Sequence, residues 1–262
     1  MEISTIVGIL MSLAAVFGGA LLEGLHLSAL LQPTAAIIVF GGTIAAGLVS
    51  FPIQDVKQAI KSLKVIFKKV DMNPAPVIEE IITIATVARK EGILAIEGMR
   101  ENIQDPIFKK AVKFVIDGFE AATVRDIMDA EIDMELEEEE AAAKVWEGLG
   151  GYAPTIGIIG AVLGLIHVMG NLSDPSQLGG GISVAFVATV YGVASANLMF
   201  IPFGTKIKRK AKMATLNKEV VKLGILGIQE GLNPHFLREK LLVYVHEAHK
   251  KPAGDGVEKE KA

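Results

Sequence analysis

Long apolar segments alternate with charged segments along this chain. Residues 3–22, 33–53, 149–169 and 180–203 contain no Asp, Glu, Lys or Arg. Each stretch is close to the roughly 20 residues that an α-helix needs to cross the hydrocarbon core of a bilayer. Because lipid offers the backbone no hydrogen-bond partners, the pattern predicts four transmembrane helices, here called spans 1 to 4.

The positions of the charged residues indicate which segments lie in water. Of the 26 basic and 30 acidic residues, only Glu2, Glu23 and Asp174 lie outside residues 55–147 and 206–262. The short linkers between spans 1 and 2 and between spans 3 and 4 contain no Lys or Arg. Basic residues favour the cytoplasmic side of a membrane, so we expect both termini in the cytoplasm and both linkers outside.

The sequence therefore predicts an all-α integral membrane protein with four transmembrane helices. A helical cytoplasmic domain (55–147) separates the transmembrane hairpins 1–54 and 148–205, and a cytoplasmic C-terminal tail (206–262) follows. The end of that tail, KPAGDGVEKEKA, has the composition of a disordered segment. A cleavable signal peptide is the alternative for span 1, but the stretch lacks a basic n-region, and no small-x-small cleavage site precedes mature soluble sequence.

The cytoplasmic segments show helical periodicity. In VKQAIKSLKVIFKKV, residues 56–70, the apolar positions Val56, Ile60, Leu63 and Phe67 follow at spacings of three and four, with lysines on the other face. The pattern resumes after Pro76 and continues to Asp105-Pro106, with a bend expected near Gly92. An acidic helix, residues 128–150, then leads into span 3.

Three polar clusters allow more than one interpretation. The run Glu137 to Glu140 is most simply a solvated helix face, with a cation site or a docking surface as alternatives. The lysines after Pro202 are expected to anchor the topology and, secondarily, to contact anionic membrane lipid. His246 and His249 lie three residues apart on a predicted helix, but no further ligands accompany them, so we expect no metal site.

Spans 3 and 4 are rich in small residues at helical spacing. These are Ala153, Gly157 and Ala161 and the pair Gly160 and Gly164 in span 3, and Ala185, Ala188, Gly192 and Ala196 in span 4. Helices in lipid associate through small side chains that let their backbones approach. Both spans are therefore predicted to pack closely against partner helices.

Prolines and hydroxyls interrupt these two spans. Pro154 and Pro202 lie near the predicted cytoplasmic ends, where each removes a backbone hydrogen bond and either bends the helix or creates a point of conformational change. Thr155 follows the first proline. Thr189 is the hydroxyl that we select for an ion path, because it lies deep in span 4 beside the small residues; a bond to its own helix is the alternative.

The spans contain no carboxylate. Ion-translocating membrane proteins generally hold an Asp or Glu within the membrane, so a partner must supply the acid if this chain conducts an ion. The absence of cysteine, of a Walker-type glycine loop and of a metal-ligand cluster in the sequence argues against an enzyme and against a cofactor.

Several segments resemble one family. AFVATVYGVASANLMFIP, residues 185–202, is similar to the fourth span of the MotA family of flagellar motor stator proteins, within the MotA/TolQ/ExbB ion-channel group. GYAPTIGIIGAVLGLIHVMGNLSDPSQLGGGI resembles the third span and external loop of that family, and HLSALLQPTAAIIVFGG its second-span entry. ARKEGILAIE, residues 88–97, resembles its rotor-facing segment.

The resemblance implies a stator subunit in the bacterial inner membrane. Such subunits form a pentameric ring around a dimer of MotB-like proteins, whose transmembrane helices bring the ion-binding aspartate, and ion flow drives torque on the rotor switch-ring protein FliG. By the same resemblance, Pro154 and Pro202 match the prolines tied to conformational coupling and Thr189 the hydroxyl at the ion path. Arg89 and Glu97 match the charged pair that engages the rotor.

The coupling ion stays open between H⁺ and Na⁺. Sodium-driven members of the family often carry Thr where this chain has Ala161, while Thr155 and the carbonyls near Pro154 are substitute ligands. ExbB-like and TolQ-like energisers of outer-membrane processes are the alternative function, but they have one span before the cytoplasmic domain and this chain has two. A transporter built from repeated hairpins would need polar substrate-binding groups that the spans lack.

Overall fold

The computed structural model describes residues 2–68, 73–173 and 175–250, with side chains described except at 175–177 and 244–250. Every regular element in these ranges is helical, and four helices are long and apolar enough to cross a membrane. The predicted all-α membrane fold is thus confirmed. The expected disorder of 251–262 and the side chains of His246 and His249 lie outside the described part.

The structure gives the following helix bounds in chain order. They are Ile3–Leu22, Leu27–Leu30 (3₁₀), Pro33–Ala36, Ile37–Gly41 (π), Gly42–Ser50, Ile53–Phe67, Ala75–Glu91, Ile93–Ile96 (3₁₀), Glu97–Arg100, Pro106–Ile116, Ala121–Gly170, Pro175–Ser195, Ala196–Phe200 (π), Ile201–Gln229 and Pro234–Lys250. Span 1 therefore has its predicted bounds. Span 2 ends at Ser50, and spans 3 and 4 are parts of much longer helices.

Proline chemistry explains the end of span 2. Phe51 precedes Pro52 and is extended (φ −123°, ψ 143°), because the proline ring disfavours a helical residue before it. Pro52 then starts the next helix, Ile53–Phe67, which we call the connector helix.

The chain divides into two compact units. The membrane unit comprises residues 1–69 and 137–211, and the peripheral unit comprises residues 70–136 and 212–262. Packing therefore assigns the connector helix and residues 137–147 to the same unit as the spans. It also assigns most of the segment called a tail in the sequence to the unit that contains residues 75–116.

The peripheral unit has a continuous hydrophobic core. Its fully buried side chains include Ile81, Phe108 and Val112 from the first half, and Ile225 and Leu237 from the C-terminal segment. Asp105 caps the helix Pro106–Ile116, since its Oδ1 accepts a hydrogen bond from the Phe108 N–H at 2.8 Å. Residues 220–241 thus contribute side chains to this core.

The expected bend near Gly92 is a complete break. Gly92 adopts φ +92°, a conformation that favours glycine, and the α-helix ends at Glu91. A 3₁₀ turn, Ile93–Ile96, follows before the helix resumes at Glu97.

The connector helix packs through a face that its apolar spacing did not indicate. Ala59, Ser62 and Ile66 are buried, whereas Ile60 is 60% exposed on the side of the lysines. The indole Nε1–H of Trp146 donates to the Ala59 carbonyl at 2.9 Å.

The same face of the connector helix holds one member of the acidic run. The carboxylate of Glu139 accepts from Gln58 Nε2 at 3.1 Å and from Ser62 Oγ at 2.9 Å. Within the run, Glu137 and Glu138 are exposed, so the solvated-face interpretation fits these two residues, while Glu139 docks the connector helix.

Candidate functional site

Spans 3 and 4 cross at a pair of glycines. A methyl group placed on Gly192 would lie 2.5 Å from the Ala153 carbonyl oxygen, and one on Gly157 would lie 2.9 Å from the Ala188 carbonyl oxygen. Neither position has room for a side chain. The two backbones are therefore in direct contact at the middle of the hairpin.

The contact between spans 3 and 4 continues towards the linker that joins the two spans. Gly160 faces the Ala188 methyl group and Gly164 faces the backbone of Ala185 and Gly181. The two stripes predicted on span 3 thus combine into one seam, Ala153, Gly157, Gly160 and Gly164, that packs against span 4 of the same chain. The small residues therefore pack spans 3 and 4 of one chain against each other.

Two residues of span 3 flank this seam. Pro154 lies one turn before Gly157 and Ala161 one turn after it, and both are half-buried. The helix Ala121–Gly170 continues through Pro154, whose nitrogen has no proton to donate to the carbonyl four residues earlier. Thr155 is exposed, and its Oγ1 donates to the Tyr152 carbonyl at 2.8 Å.

Thr189 lies next to the glycine crossing, where its Cα approaches Gly157. Its Oγ1 donates to the Ala185 carbonyl at 3.2 Å, which is the bond to its own helix expected of a threonine in a span. This bond uses the hydroxyl proton and leaves the oxygen lone pairs available. Thr189 is half-buried and lines an open groove with Val193 and Asn197.

Pro202 follows a local change of helix type. Residues Ala196–Phe200 form a π turn, and the α-helix resumes at Ile201. A proline cannot donate to the carbonyl four residues before it, here Leu198, so the wider turn accommodates its ring. The exposed ring of Pro202 borders a cavity of about 310 Å³ with Ser12, Asn197 and Lys206.

The side chain of Lys210 binds the C-terminal end of the connector helix near this cavity. Lys210 is 5% exposed, and its Nζ donates to the carbonyls of Val65, Ile66 and Lys68 at 2.8, 2.9 and 2.6 Å. The Glu2 N–H donates to the carbonyl of Phe67 at 2.9 Å. A buried cation thus adds a charged donor to the carbonyls at the end of this helix, where the helix dipole is negative.

Glu2 balances the charge of this cluster. Its carboxylate pairs with Lys206 at 2.7 Å and with Lys210. The hydrogen bonds from Lys206 and Lys210 hold the pKa of Glu2 at about 2, far below its ordinary value. The first residues of the chain, the connector helix and the extension of span 4 are therefore joined by one charged network.

The structure places the two residues matched to the rotor contact in the peripheral unit. Arg89 lies in the last turn of Ala75–Glu91 and Glu97 begins the next α-helix, and both are exposed. The break at Gly92 means that they do not share the face of one continuous helix. Neither makes a side-chain hydrogen bond or ion pair within the described residues.

Sequence reasoning missed several residues of the membrane unit. Lys210 looked like one of many tail lysines, and nothing local distinguishes it. Thr43 is fully buried in span 2, and its hydroxyl has no hydrogen-bond partner in the described structure. Tyr191 donates to the Leu30 carbonyl and so connects span 4 to the linker between spans 1 and 2. A hydroxyl inside an apolar span was the available signal for Thr43.

Two family models match consecutive parts of this chain. Residues 6–92 match the motility protein A N-terminal family and residues 99–220 match the MotA/TolQ/ExbB proton channel family. Motility protein A of Bacillus subtilis is 36% identical over 94% of this chain and 91% of its own length.

Two solved structures are similar over almost the whole fold. One is described as the structure of C. jejuni MotAB (TM-score 0.88, 31% identity, 98% of this chain and 100% of that chain). The other is the flagellar MotAB stator complex from Bacillus subtilis (TM-score 0.84, 34% identity, 96% of this chain and 100% of that chain).

Proposed function

This chain belongs to the MotA/TolQ/ExbB proton channel family, and we infer that it is a flagellar motor stator subunit that forms an ion channel with a MotB-like partner. The observation that carries this function is the similarity to two MotAB structures over 98% and 96% of the chain. Two spans precede the cytoplasmic block, as in the motility proteins, so the ExbB-like alternative is not favoured. The chain is a multi-pass protein of the inner membrane.

The partner completes the ion path in this proposal. No span carries an Asp or Glu, so the titratable group must come from the transmembrane helix of the MotB-like subunit. Thr189 supports this view because its hydroxyl proton is used within span 4 while its oxygen lone pairs stay available beside an open groove. Thr155 has the same internal bond and is exposed on span 3.

We propose that the prolines turn ion occupancy into movement of the helices. Pro154 and Pro202 each remove a backbone hydrogen bond, and the π turn before Pro202 already departs from α geometry. Helix segments on either side of such points reorient at lower cost than a continuous α-helix. The close backbone contact at the glycine seam would keep spans 3 and 4 together during this movement.

The remaining parts of the proposal concern assembly and the rotor. We propose a pentameric ring around the partner dimer, with both termini in the cytoplasm as the lysine distribution predicts. Arg89 and Glu97 are exposed and free of ion pairs within the described residues, which suits electrostatic steering towards FliG rather than tight binding. The protein would have no enzymatic activity and no cofactor besides the coupling ion.

The test is complementation of cells that lack their own stators. We expect the chain with its MotB-like partner to restore swimming, and the partner with its membrane aspartate changed to Asn to abolish it. Swimming speed against external sodium at constant pH then identifies the ion: a steep dependence indicates Na⁺ and a flat one H⁺. Equal cation flux through vesicles containing this chain alone and through the two-component complex would contradict the proposed role of the partner.

A further inference from the structure

The connector helix exposes a face of mixed character. Lys57, Lys61 and Lys64 are exposed at spacings of four and three residues. Two aliphatic residues share this face, Ile53, which is 56% exposed, and Ile60, which is 60% exposed. Lysines alternating with exposed aliphatic residues are typical of helices that lie in a membrane interface, where the lysine stems cover apolar surface and the ammonium groups reach the lipid headgroups.

An apolar pocket of about 290 Å³ opens beside this face. Its walls come from span 2 (Phe40, Ile44 and Leu48), from Ile60 of the connector helix, and from Trp146 and Phe200. The Trp146 indole N–H is used by the Ala59 carbonyl, so the ring presents only apolar surface to the pocket. The pocket therefore offers no hydrogen-bond partners that would favour its filling by water.

The exposed rim of the pocket belongs to a membrane-spanning helix. Ile44 and Leu48 are 57% and 52% exposed. The whole arrangement lies within the membrane unit, at the end of span 2 where the charged connector helix begins. A positively charged stripe next to an apolar slot matches the two parts of an anionic lipid, its phosphate and its acyl chain.

We propose that the connector helix and this pocket bind an anionic phospholipid. Lys57, Lys61 and Lys64 contact the phosphate headgroup, and one acyl chain occupies the pocket against Trp146. A second protein chain fits less well, because three exposed lysines would have to be desolvated or matched by acidic residues.

The single tryptophan of the chain provides a direct reporter of the pocket. The complex with its MotB-like partner is reconstituted into vesicles that contain phospholipids brominated on the acyl chain, which quench tryptophan on contact. The signal of a Trp146→Phe complex is subtracted to remove any tryptophan of the partner. We expect half-maximal quenching by brominated phosphatidylglycerol at about a tenfold lower mole fraction than by brominated phosphatidylcholine, because each lysine near the surface favours anionic lipid.

Charge variants separate this site from general membrane charge effects. Changing Lys57, Lys61 and Lys64 to Gln should make the two lipids equally effective. The matched control changes Lys90, Lys113 and Lys240, three exposed lysines of the peripheral unit, to Gln and should keep the preference for phosphatidylglycerol. Equal quenching of the unmodified protein by both lipids would overturn headgroup selection. Absence of quenching by either lipid would show that a second chain covers the pocket and would also overturn the proposal.

Discussion

At the scale of single residues, the intrahelical bond of Thr189 is compatible with the ion-path role that we propose for it. Its hydroxyl donates to the Ala185 carbonyl, so the oxygen can still accept a hydrogen bond or contact a cation. Thr155 repeats this arrangement with Tyr152. A bond within the helix therefore orients the lone pairs and does not argue against a place on the ion path.

We predict that Thr189→Val abolishes or strongly reduces swimming while assembly with the partner persists. Valine keeps the shape of threonine and removes one intrahelical bond, which costs about 1 kcal/mol or less. Thr189→Ser keeps the oxygen and should retain most motility. Co-purification with the partner and swimming speed are the measurements. Normal swimming of the valine variant would remove Thr189 from the path.

Glu2 gives a prediction about pH. Its pKa is lowered to about 2 by its hydrogen bonds to Lys206 and Lys210, so its stabilising contribution is complete above its ordinary pKa near 4.5 and is lost as the pH falls towards 2. Because the carboxylate is 29% exposed, we expect the contribution to be only about 1 kcal/mol.

The measurement is the melting temperature in detergent at pH 7 and pH 3. Glu2→Gln should lower it at pH 7 and reduce its fall between the two pH values. Glu23→Gln, at the other end of span 1 and without an ion pair in the described structure, is the control and should behave as the unmodified protein. A Glu2→Gln variant with the same pH dependence as the unmodified protein would contradict the assigned network.

Candidate residues can be selected from the sequence where the signal is local. A threonine or proline inside an apolar span stands out by its chemistry, so Pro154, Thr189 and Pro202 were selected without a structure. Lys210 was not, because its partners Val65, Ile66 and Lys68 lie more than 140 residues earlier in the chain. Its burial depends on how the connector helix ends against the extension of span 4.

At the scale of elements, the glycine seam fixes the span 3 and span 4 hairpin. Gly192→Ala would place a methyl group 2.5 Å from the Ala153 carbonyl oxygen, so the helices must separate. We expect a loss of about 1–3 kcal/mol, seen as a lower melting temperature of the purified chain and as reduced swimming. Gly151→Ala is the matched control, since nothing lies within 4 Å of that position, and it should not lower the melting temperature because alanine favours a helix more than glycine does.

Pro154 and Pro202 lie in the two helices that the glycine seam joins. We predict that Pro154→Leu and Pro202→Leu leave assembly with the partner intact and abolish swimming, because a leucine restores the missing N–H and favours an uninterrupted α-helix. Complex formation and motility are measured on the same strains. Normal motility of both variants would exclude a coupling role for the prolines.

Element types were easier to predict than element ends. Hydrophobic length alone located all four spans, because an apolar helix of that length has few alternatives. The sequence predicts a boundary within each of the long helices Ala121–Gly170 and Ile201–Gln229, because the amino-acid composition changes at the edge of the membrane. The helical backbone continues across both boundaries. The π turn at Ile37–Gly41 has no such sequence signal.

At the scale of the whole molecule, the two proposed activities reside in different compact units. Thr189 and both prolines belong to the membrane unit, whereas Arg89 and Glu97 belong to the peripheral unit. If Arg89 and Glu97 contact the rotor as proposed, substitutions there should affect torque without affecting ion conduction or assembly.

We predict that Arg89→Glu reduces swimming strongly while the complex forms and conducts ions normally. Reversal of an exposed charge weakens an electrostatic contact, and a compensating reversal on the rotor protein should restore part of the speed. Lys113→Glu, a reversal at another exposed position of the same unit, is the control and should swim normally. Loss of ion conduction in the Arg89 variant would place this residue in a structural role instead.

The network around Lys210 also has a consequence for biosynthesis. The connector helix leaves the ribosome long before residue 210 is made. The ammonium group that binds the carbonyls at its end belongs to a residue 142 positions after Lys68. Until the second hairpin has been inserted, those carbonyls lack the charged donor that Lys210 provides. Insertion of the second hairpin therefore completes the contacts that stabilise the end of the connector helix. A nascent chain arrested before residue 210 should be cleaved by protease at the end of the connector helix more readily than the finished protein.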